Sequence, residues 1–261
     1  MQRPRFPAQL PEAKNRASVA KPQQSTGPAP AKPRSSLAAS GSLPAGLGLD
    51  SPALRSRMLQ KLVAQGVSDP QVMAAMAAVE RHRFVDTALV NQAYEDTSLP
   101  IGWGQTISKP NVVARMLELL RQAAAGKMGR VLEIGTGCGY QAAVLSHLAS
   151  EVYSIERIRG LHKRARDNLR ALRLPNVHLL FGDGMLGFAP GAPYAAIIAA
   201  AGGDAIPQAW IDQLAIGGRI VAPMSAGGAK QALVVIDKSA QGIRQSVLEP
   251  VQFVPLKSGL A

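Results

Sequence analysis

The 261-residue sequence has a single cysteine, no long apolar run and few acidic residues. With Cys138 alone, no disulfide can form within the chain, and a reducing, cytoplasmic location is expected. No stretch approaches the length of about 18 apolar residues that a membrane helix needs, so no membrane span is predicted. Zinc-finger, RRM and KH patterns are lacking as well, and no metal site is predicted.

Acidic residues are scarce relative to basic ones. The chain has 17 Asp and Glu against 29 Lys and Arg, a formal charge of +12. Such an excess can indicate nucleic-acid binding. Residues 1–50 hold seven basic and two acidic side chains, and the rest of the charge spreads over residues 51–261 without a block of five like charges. A basic cluster over residues 157–173 fits one solvated helix face, so no nucleic-acid partner is predicted.

The beginning of the chain differs in composition from the rest. Nine of the 19 prolines fall in residues 1–52, where no periodic apolar pattern is found. This composition predicts a disordered basic tail over residues 1–49. We expect a helical cap and a substrate loop over residues 50–110, followed by a catalytic domain with a nucleotide-type pocket over residues 111–261.

Two helix starts stand near the beginning of the predicted cap. Ser51 and Asp69 each precede a proline, which is the pattern of an N-cap followed by the first helical residue. Apolar stripes follow both positions, and residues 80–85 are expected to close the second helix. Residues 98–110 then contain two prolines and two glycines and are predicted to form a loop that contacts substrate.

A glycine-rich turn follows the first predicted strand of the large domain. Residues 131–134 are mostly apolar without alternation, as expected for a strand buried on both faces. Gly135, Gly137 and Gly139 follow at a spacing of two, and a helical pattern comes next. A dinucleotide-binding turn needs a small residue where Tyr140 stands, so this ligand is not favoured.

The pattern Glu133-x-Gly-x-Gly-x-Gly resembles motif I of the S-adenosylmethionine-dependent methyltransferases. The resemblance implies that Glu133 and these three glycines bind that cofactor. Glu156 ends the second strand, roughly 20 residues after the turn, where an acid can accept hydrogen bonds from ribose hydroxyls. In methyltransferases that resemble this chain, an acid at the position of Asp183 meets the adenine amino group, and Gly184 follows it in the same turn.

Strands alternate with helices through the remainder of the chain. Further strands are predicted over residues 195–200, 217–223, 232–236 and 251–256, with a helix over 207–214. The last two strands have no helix between them. The fold class is therefore α/β: a Rossmann-like, seven-stranded S-adenosylmethionine-dependent methyltransferase fold with a mostly parallel sheet and an antiparallel edge strand.

Several stretches resemble the protein-L-isoaspartate (D-aspartate) O-methyltransferase family. They are Glu-Arg-His-Arg-Phe-Val at 80–85, Leu-Pro-Ile-Gly-Trp-Gly-Gln-Thr-Ile-Ser-Lys-Pro at 99–110, the glycine turn, Gly-Asp-Gly at 182–184 and Phe-Val-Pro-Leu at 253–256. The resemblance places Ser108 at the family's active-site serine. The residues that it implies for holding the substrate peptide are Thr106, Ile107, Val254, Pro255 and Leu256.

The family resemblance implies a function. It implies methyl transfer from S-adenosylmethionine to the free carboxylate of L-isoaspartyl and D-aspartyl residues in age-damaged proteins and peptides, by a monomeric enzyme. The chain departs from the family pattern at Ala195, where Asp is usual, and at Gly202-Gly203, where Ala-Ala is more usual. The alternative is a nucleic-acid methyltransferase, for example one acting on tRNA, with the same cofactor fold.

Overall fold

The computed structural model describes residues 52–225 and 230–261. The predicted tail and the predicted N-cap Ser51 lie outside these residues. The helices are α1 (Pro52–Ala64), α2 (Pro70–Ala78), α3 (Pro110–Arg121), α4 (Tyr140–Leu148), α5 (Arg159–Arg170) and α6 (Gln208–Gln213). The strands are β1 (Leu99–Gly102), β2 (Gln105–Ile107), β3 (Met128–Ile134), β4 (Ala149–Glu156), β5 (Val177–Phe181), β6 (Tyr194–Ala199), β7 (Leu214–Ser225), β8 (Gln231–Ser239) and β9 (Gly242–Val251).

The predicted fold class is confirmed by a seven-stranded sheet in the order β5-β4-β3-β6-β7-β8-β9. The first five of these strands run parallel to one another, and β8 and β9 are added through antiparallel pairings. After β3, the chain adds β4 and β5 on one side of β3 and then returns to add β6 and β7 on its other side. The strand order therefore reverses between β3 and β6. Ligands of open α/β sheets bind outside the carboxyl ends of the strands at such a point.

The helical cap packs on the sheet through one continuous core. Asp69 is the N-cap of α2, and its side chain accepts hydrogen bonds from the backbone N–H groups of Gln71 and Val72. Val72 and Met76 are fully buried and belong to the same hydrophobic cluster as Val131 of β3. The apolar stripe of α2 is therefore core packing, as the sequence predicts.

Three predicted elements differ from the structure. The second helix ends at Ala78 rather than at residues 80–85, because Val79 turns to an extended conformation and a separate 3-10 turn follows at Arg81–Phe84. The predicted loop over 98–110 contains a β1–β2 hairpin. The last strand is β9, whereas the sequence predicts a strand over residues 251–256. Because β9 is a polar, largely exposed edge strand, its few apolar residues do not form a pattern that predicts a strand.

Candidate active site

The glycine turn after β3 presents its backbone at the carboxyl edge of the sheet. Gly135 and Gly139 both have φ of 91°, in the left-handed region that side chains other than glycine rarely adopt. A Cβ on Gly139 would also lie 3.1 Å from Leu169 Cδ1 of α5. Glycine is thus required for the turn itself and for close packing of α5 beside it.

Glu156 joins this turn to the end of β4. Its carboxylate is 5% exposed, and Oε2 accepts a hydrogen bond from the Gly137 N–H at 2.9 Å while Oε1 accepts one from the Ile158 N–H at 2.8 Å. Burial raises the pKa of this carboxyl above its ordinary value, and the backbone donors oppose that shift. Glu156 therefore holds two loops in place and keeps acceptor capacity, since each carboxylate oxygen can accept more than one bond.

Glu133 lies beneath the turn and is fully buried. Burial raises its pKa to about 8, against the lowering effect of the hydrogen bond that Ser154 donates to Oε2. Ser154 Oγ in turn lies 2.6 Å from Thr136 Oγ1. Glu133 is not among the residues that line the cavities described below. Its predicted contribution to cofactor binding is therefore support of the turn from below.

A first cavity of about 530 Å³ opens beside the glycine turn. Gly135 and Gly184, which follow β3 and β5, contribute to its wall together with Ile155 at the carboxyl end of β4. A Cβ on Gly184 would come within 2.5 Å of Ile134 Cγ2, so the wall is closely packed there. The cavity spans the carboxyl ends of three adjacent parallel strands.

Asp183, next to the wall residue Gly184, is hydrogen-bonded to the C-terminal segment. Its Oδ1 accepts a hydrogen bond from the Met185 N–H at 2.9 Å, and Oδ2 accepts one from the Gly259 N–H at 2.6 Å. The same segment places Lys257 and Ala261 in the cavity wall. The C-terminal residues therefore cover the side of the cavity where Asp183 stands.

A second cavity of about 720 Å³ lies on the other side of the glycine turn. Ser108, Thr106 and Val254 line it, as predicted for substrate-side residues. The Ser108 hydroxyl makes no hydrogen bond within residues 52–225 and 230–261, which leaves it free to bind a ligand. Among the charged side chains of this wall, Arg115 pairs with Glu249 at 2.7 Å.

A third, narrow cavity of about 50 Å³, called the cleft below, is bordered by residues of both cavities. It shares Gln105 and Gly135 with the first cavity and Ser108 and Ala200 with the second. Ile107 lines this cleft only and is 4% exposed. Ser108 therefore lies in the wall that the second cavity and the cleft share.

Pro255 and Leu256 line a different cavity from Val254. They line the first cavity and not the second, in contrast to Val254. The reason is a short ladder in which the Gly202 N–H donates to the Val254 carbonyl at 2.8 Å and the Leu256 N–H donates to the Gly202 carbonyl at 2.7 Å. This ladder carries the chain from one cavity to the other, and the contact of Pro255 and Leu256 with substrate stays a prediction.

Arg81 is a site residue that the sequence analysis missed. Its side chain is fully buried, Nε donates to the Ala93 carbonyl at 2.8 Å, and Nη2 donates to the Ser108 carbonyl at 2.7 Å. The guanidinium also lies over the Tyr140 ring, 4.8 Å from its centroid. Its sequence neighbours are Glu80 and His82, so no local pattern signals that this charge turns inward.

The two departures from the family pattern are accommodated locally. Ala195 lies at the amino end of β6, away from the cavities, and packs where a Cβ on Gly129 would be 3.3 Å from it. Gly202 leaves room for the side chain of Gln231, which a Cβ at that position would overlap. Gln231 Oε1 accepts the Phe253 N–H at 2.7 Å, so this space is used to hold the C-terminal segment.

The family model for protein-L-isoaspartate (D-aspartate) O-methyltransferase matches residues 53–261 of the chain. The chain belongs to this family. It is 57% identical to the protein-L-isoaspartate O-methyltransferase of Methylibium petroleiphilum, over 98% of this chain and 96% of that protein. It is also 59% identical to the one of Leptothrix cholodnii, over 89% of this chain and 84% of that protein.

Solved structures agree with this assignment. A protein-L-isoaspartate O-methyltransferase structure superposes with a TM-score of 0.71 at 29% identity, over 79% of this chain and 67% of that one. A second, from Plasmodium falciparum and described as a complex with S-adenosyl-L-homocysteine, gives a TM-score of 0.69 at 24% identity, over 78% of this chain and 98% of that one. The latter supports the fold.

As a member of this family, the protein is an S-adenosylmethionine-dependent methyltransferase that acts on the carboxylate of isoaspartyl residues in proteins. The comparisons support this activity and not the nucleic-acid alternative. In the part of the chain that the structure describes, no helix is both long and apolar enough to cross a membrane. The same residues contain no group of three potential metal ligands.

Proposed function

We propose that the first cavity holds S-adenosylmethionine, that the second holds the isoaspartyl or D-aspartyl segment of an age-damaged protein, and that the methyl group crosses the cleft at Ser108. The observation that carries this proposal is the cleft itself, which shares wall residues with both cavities. Holding donor and acceptor in a fixed relation can supply roughly 7–11 kcal/mol of the barrier.

The wall of the first cavity suits the proposed cofactor. Gly135 contributes partly buried backbone to this wall. The buried carboxylate of Glu156 is not itself a wall residue, but it lies between the wall residues Ile155 and Arg157 at the end of β4, where ribose hydroxyls can donate to it. Gly137 and Gly139 keep the turn tight, and Glu133 supports it from below. When bound, S-adenosylmethionine supplies an electrophilic methyl group on a sulfonium.

Asp183 and Gly184 are assigned to the adenine side of the same cavity. Asp183 Oδ2 is engaged by the Gly259 N–H, and a carboxylate oxygen can accept a second bond from an adenine amino group. Pro255 and Leu256, which line this cavity, belong with the cofactor wall in this proposal.

Ser108 orients the acceptor carboxylate. A carboxyl group with an ordinary pKa near 4 is ionised at neutral pH, so no general base is needed to create the nucleophile. The free Ser108 hydroxyl can donate one hydrogen bond to the carboxylate, and Arg81 fixes the serine's backbone from beneath. The carboxylate oxygen then bonds to the methyl carbon as the carbon–sulfur bond breaks.

The second cavity suits a negatively charged peptide segment. Arg115 has both Glu249 and Glu118 as partners, whereas Lys109, in the same wall, has no ion pair among the described residues. This leaves one cation free to attract a carboxylate. Thr106, Ile107 and Val254 provide the remaining predicted contacts to the peptide. The enzyme is proposed to act as a monomer, as the family resemblance implies.

The product explains a repair function. A methyl ester has a far better leaving group than a carboxylate, so the following backbone nitrogen can attack the ester carbonyl and release methanol. The resulting succinimide hydrolyses partly to normal aspartate. The protein is needed only for the methyl transfer, since ring closure is an intramolecular reaction.

The test is methyl transfer from labelled S-adenosylmethionine to an isoaspartyl peptide, with the aspartyl peptide of the same sequence as the control. We expect transfer to the isoaspartyl peptide and at most trace transfer to its control. Equal labelling of both peptides, or labelling of tRNA in their place, would contradict the proposal.

A further inference from the structure

Trp103 has an unusual backbone conformation at the tip of the β1–β2 hairpin. Its φ is 52°, in a region that only glycine adopts freely, and the neighbouring Gly102 and Gly104 have positive φ as well. Trp103 and Gly104 form the two-residue turn, whose first central position usually holds Asn, Asp or Gly. Strain of this kind, kept at a residue with a large side chain, indicates a function for that side chain.

The indole of Trp103 lies against the first turn of α5. A Cβ on Gly160 would overlap the indole atoms Cζ2 and Cε2, so the ring occupies space that only glycine leaves open. One turn further along α5, Arg164 donates from Nη1 to the Ile101 carbonyl of the hairpin at 2.9 Å. Hairpin and helix are therefore joined on both sides of the ring, which fixes its place.

The same indole forms part of the wall of the first cavity. It lines this cavity together with Gln105, Arg159 and Gly160, at the end of β4. The residue is 57% exposed, so it borders solvent as well as the cavity. An indole with this much exposed apolar surface gains stability when a flat ligand covers it.

We propose that Trp103 is a cofactor-binding residue, whose indole covers the mouth of the first cavity and contacts the adenosyl part of the S-adenosyl compound. This inference rests on the proposed function, since it takes the first cavity as the cofactor site. Gly160 then has a specific role: it leaves the space in which the indole lies. A side chain at residue 160 displaces the ring from the cavity mouth.

Calorimetry with S-adenosylhomocysteine tests both residues. We expect Trp103→Ala to weaken binding by roughly threefold to tenfold, the range of one aromatic contact, and Trp103→Phe to recover most of the affinity. Gly160→Ala should weaken binding to a similar extent in the wild-type background and add little in the Trp103→Ala background. Gly126→Ala, at a glycine with open space around it, is the matched control and should change nothing.

Fluorescence gives a second measurement that does not depend on affinity. The chain has two tryptophans, and Trp210 is fully buried, so the exposed Trp103 should respond to ligand. S-adenosylhomocysteine is expected to change the emission of the wild type, and this change should be lost in large part in Trp103→Phe. Trp210, whose Nε1 donates to the carbonyl of the wall residue Gly184 at 2.8 Å, accounts for the remainder.

Three results would overturn the role of Trp103 while leaving the cofactor cavity intact. They are wild-type affinity in Trp103→Ala, an equal effect of Gly160→Ala with and without the indole, and an emission change that persists in full in Trp103→Phe. A wild-type protein that fails to bind S-adenosylhomocysteine would instead overturn the assignment of the cavity.

Discussion

The two cavities are built from the chain in different ways. The first is formed mainly at the carboxyl ends of consecutive strands, at Gly135, Ile155 and Gly184, with the β1–β2 hairpin and the C-terminal segment added to its wall. The second combines the region around Ser108 with Ala200 and with residues near Val254. One site is thus largely local in sequence, whereas the other joins segments separated by most of the domain. Changes to each should therefore have separable effects on cofactor and peptide.

Removing the guanidinium of Arg81 should have the largest effect. Arg81→Met leaves the buried carbonyls of Ala93 and Ser108 without donors, at about 1–3 kcal/mol each. We expect lower stability to urea and a reduced turnover of isoaspartyl peptide, with the affinity for S-adenosylhomocysteine little changed in the folded fraction. Arg81→Lys should recover part of the turnover.

The control for Arg81 is Arg83→Met, since the Arg83 side chain is 48% exposed and pairs with Glu80. It should affect neither stability nor turnover appreciably. If Arg81→Met weakened cofactor and peptide equally, the proposed separation between the cavities would not hold.

Replacing Glu156 tests the proposed cofactor site. Glu156→Ala removes the acceptor of the Gly137 and Ile158 N–H groups and the proposed ribose contact, with charge-assisted bonds worth about 1.5–3 kcal/mol each. Binding of S-adenosylhomocysteine, measured by calorimetry, should weaken at least tenfold, while the KM for peptide at saturating cofactor changes little. Glu151→Ala, an exposed carboxylate on the same strand, is the control. Unchanged affinity in Glu156→Ala would exclude it from the site.

The raised pKa of Glu133 predicts that the stability of the protein depends on pH. Its pKa is raised to about 8 in the folded protein from an ordinary 4.5. Between pH 4.5 and pH 8 the folded state binds a proton that the unfolded state lacks. The free energy of unfolding therefore falls as pH rises, by at most about 1.4 kcal/mol per pH unit. Above pH 8 the loss should level off. Glu133→Gln cannot ionise, and its free energy of unfolding should lack this decline; parallel curves for the two proteins would show that Glu133 does not titrate this way.

Replacing Ser108 should have the smallest effect, and this effect should concern the substrate and not the cofactor. Ser108→Ala removes one neutral hydrogen bond, worth about 0.5–1.5 kcal/mol, so single-turnover transfer should slow by roughly threefold to tenfold. Cofactor affinity should stay nearly unchanged. Ser98→Ala changes a serine in the same cavity outside the cleft and should keep the wild-type rate. A complete loss of transfer with a modified Ser108 in the mass spectrum would indicate a covalent role instead.

Local patterns determine the cofactor side from the sequence alone. The apolar run of β3, the glycines after it and the acid at the end of β4 follow one another in one strand–turn–helix–strand unit. The backbone freedom of glycine and the direction of parallel strands then place Gly135 and Glu156 beside each other. The hydrogen bond from the Gly137 N–H to the Glu156 carboxylate needs no distant part of the chain.

Only the tertiary structure decides the substrate side. The inward turn of Arg81 depends on carbonyls of Ala93 and Ser108, and the division between Val254 and Pro255 depends on a ladder with Gly202. These partners lie 12 to 50 residues or more away, and their pairing follows from how helices and strands pack, which no local pattern specifies. The sequence thus determined the fold and the cofactor turn, whereas packing between distant segments decided which residues meet at Ser108.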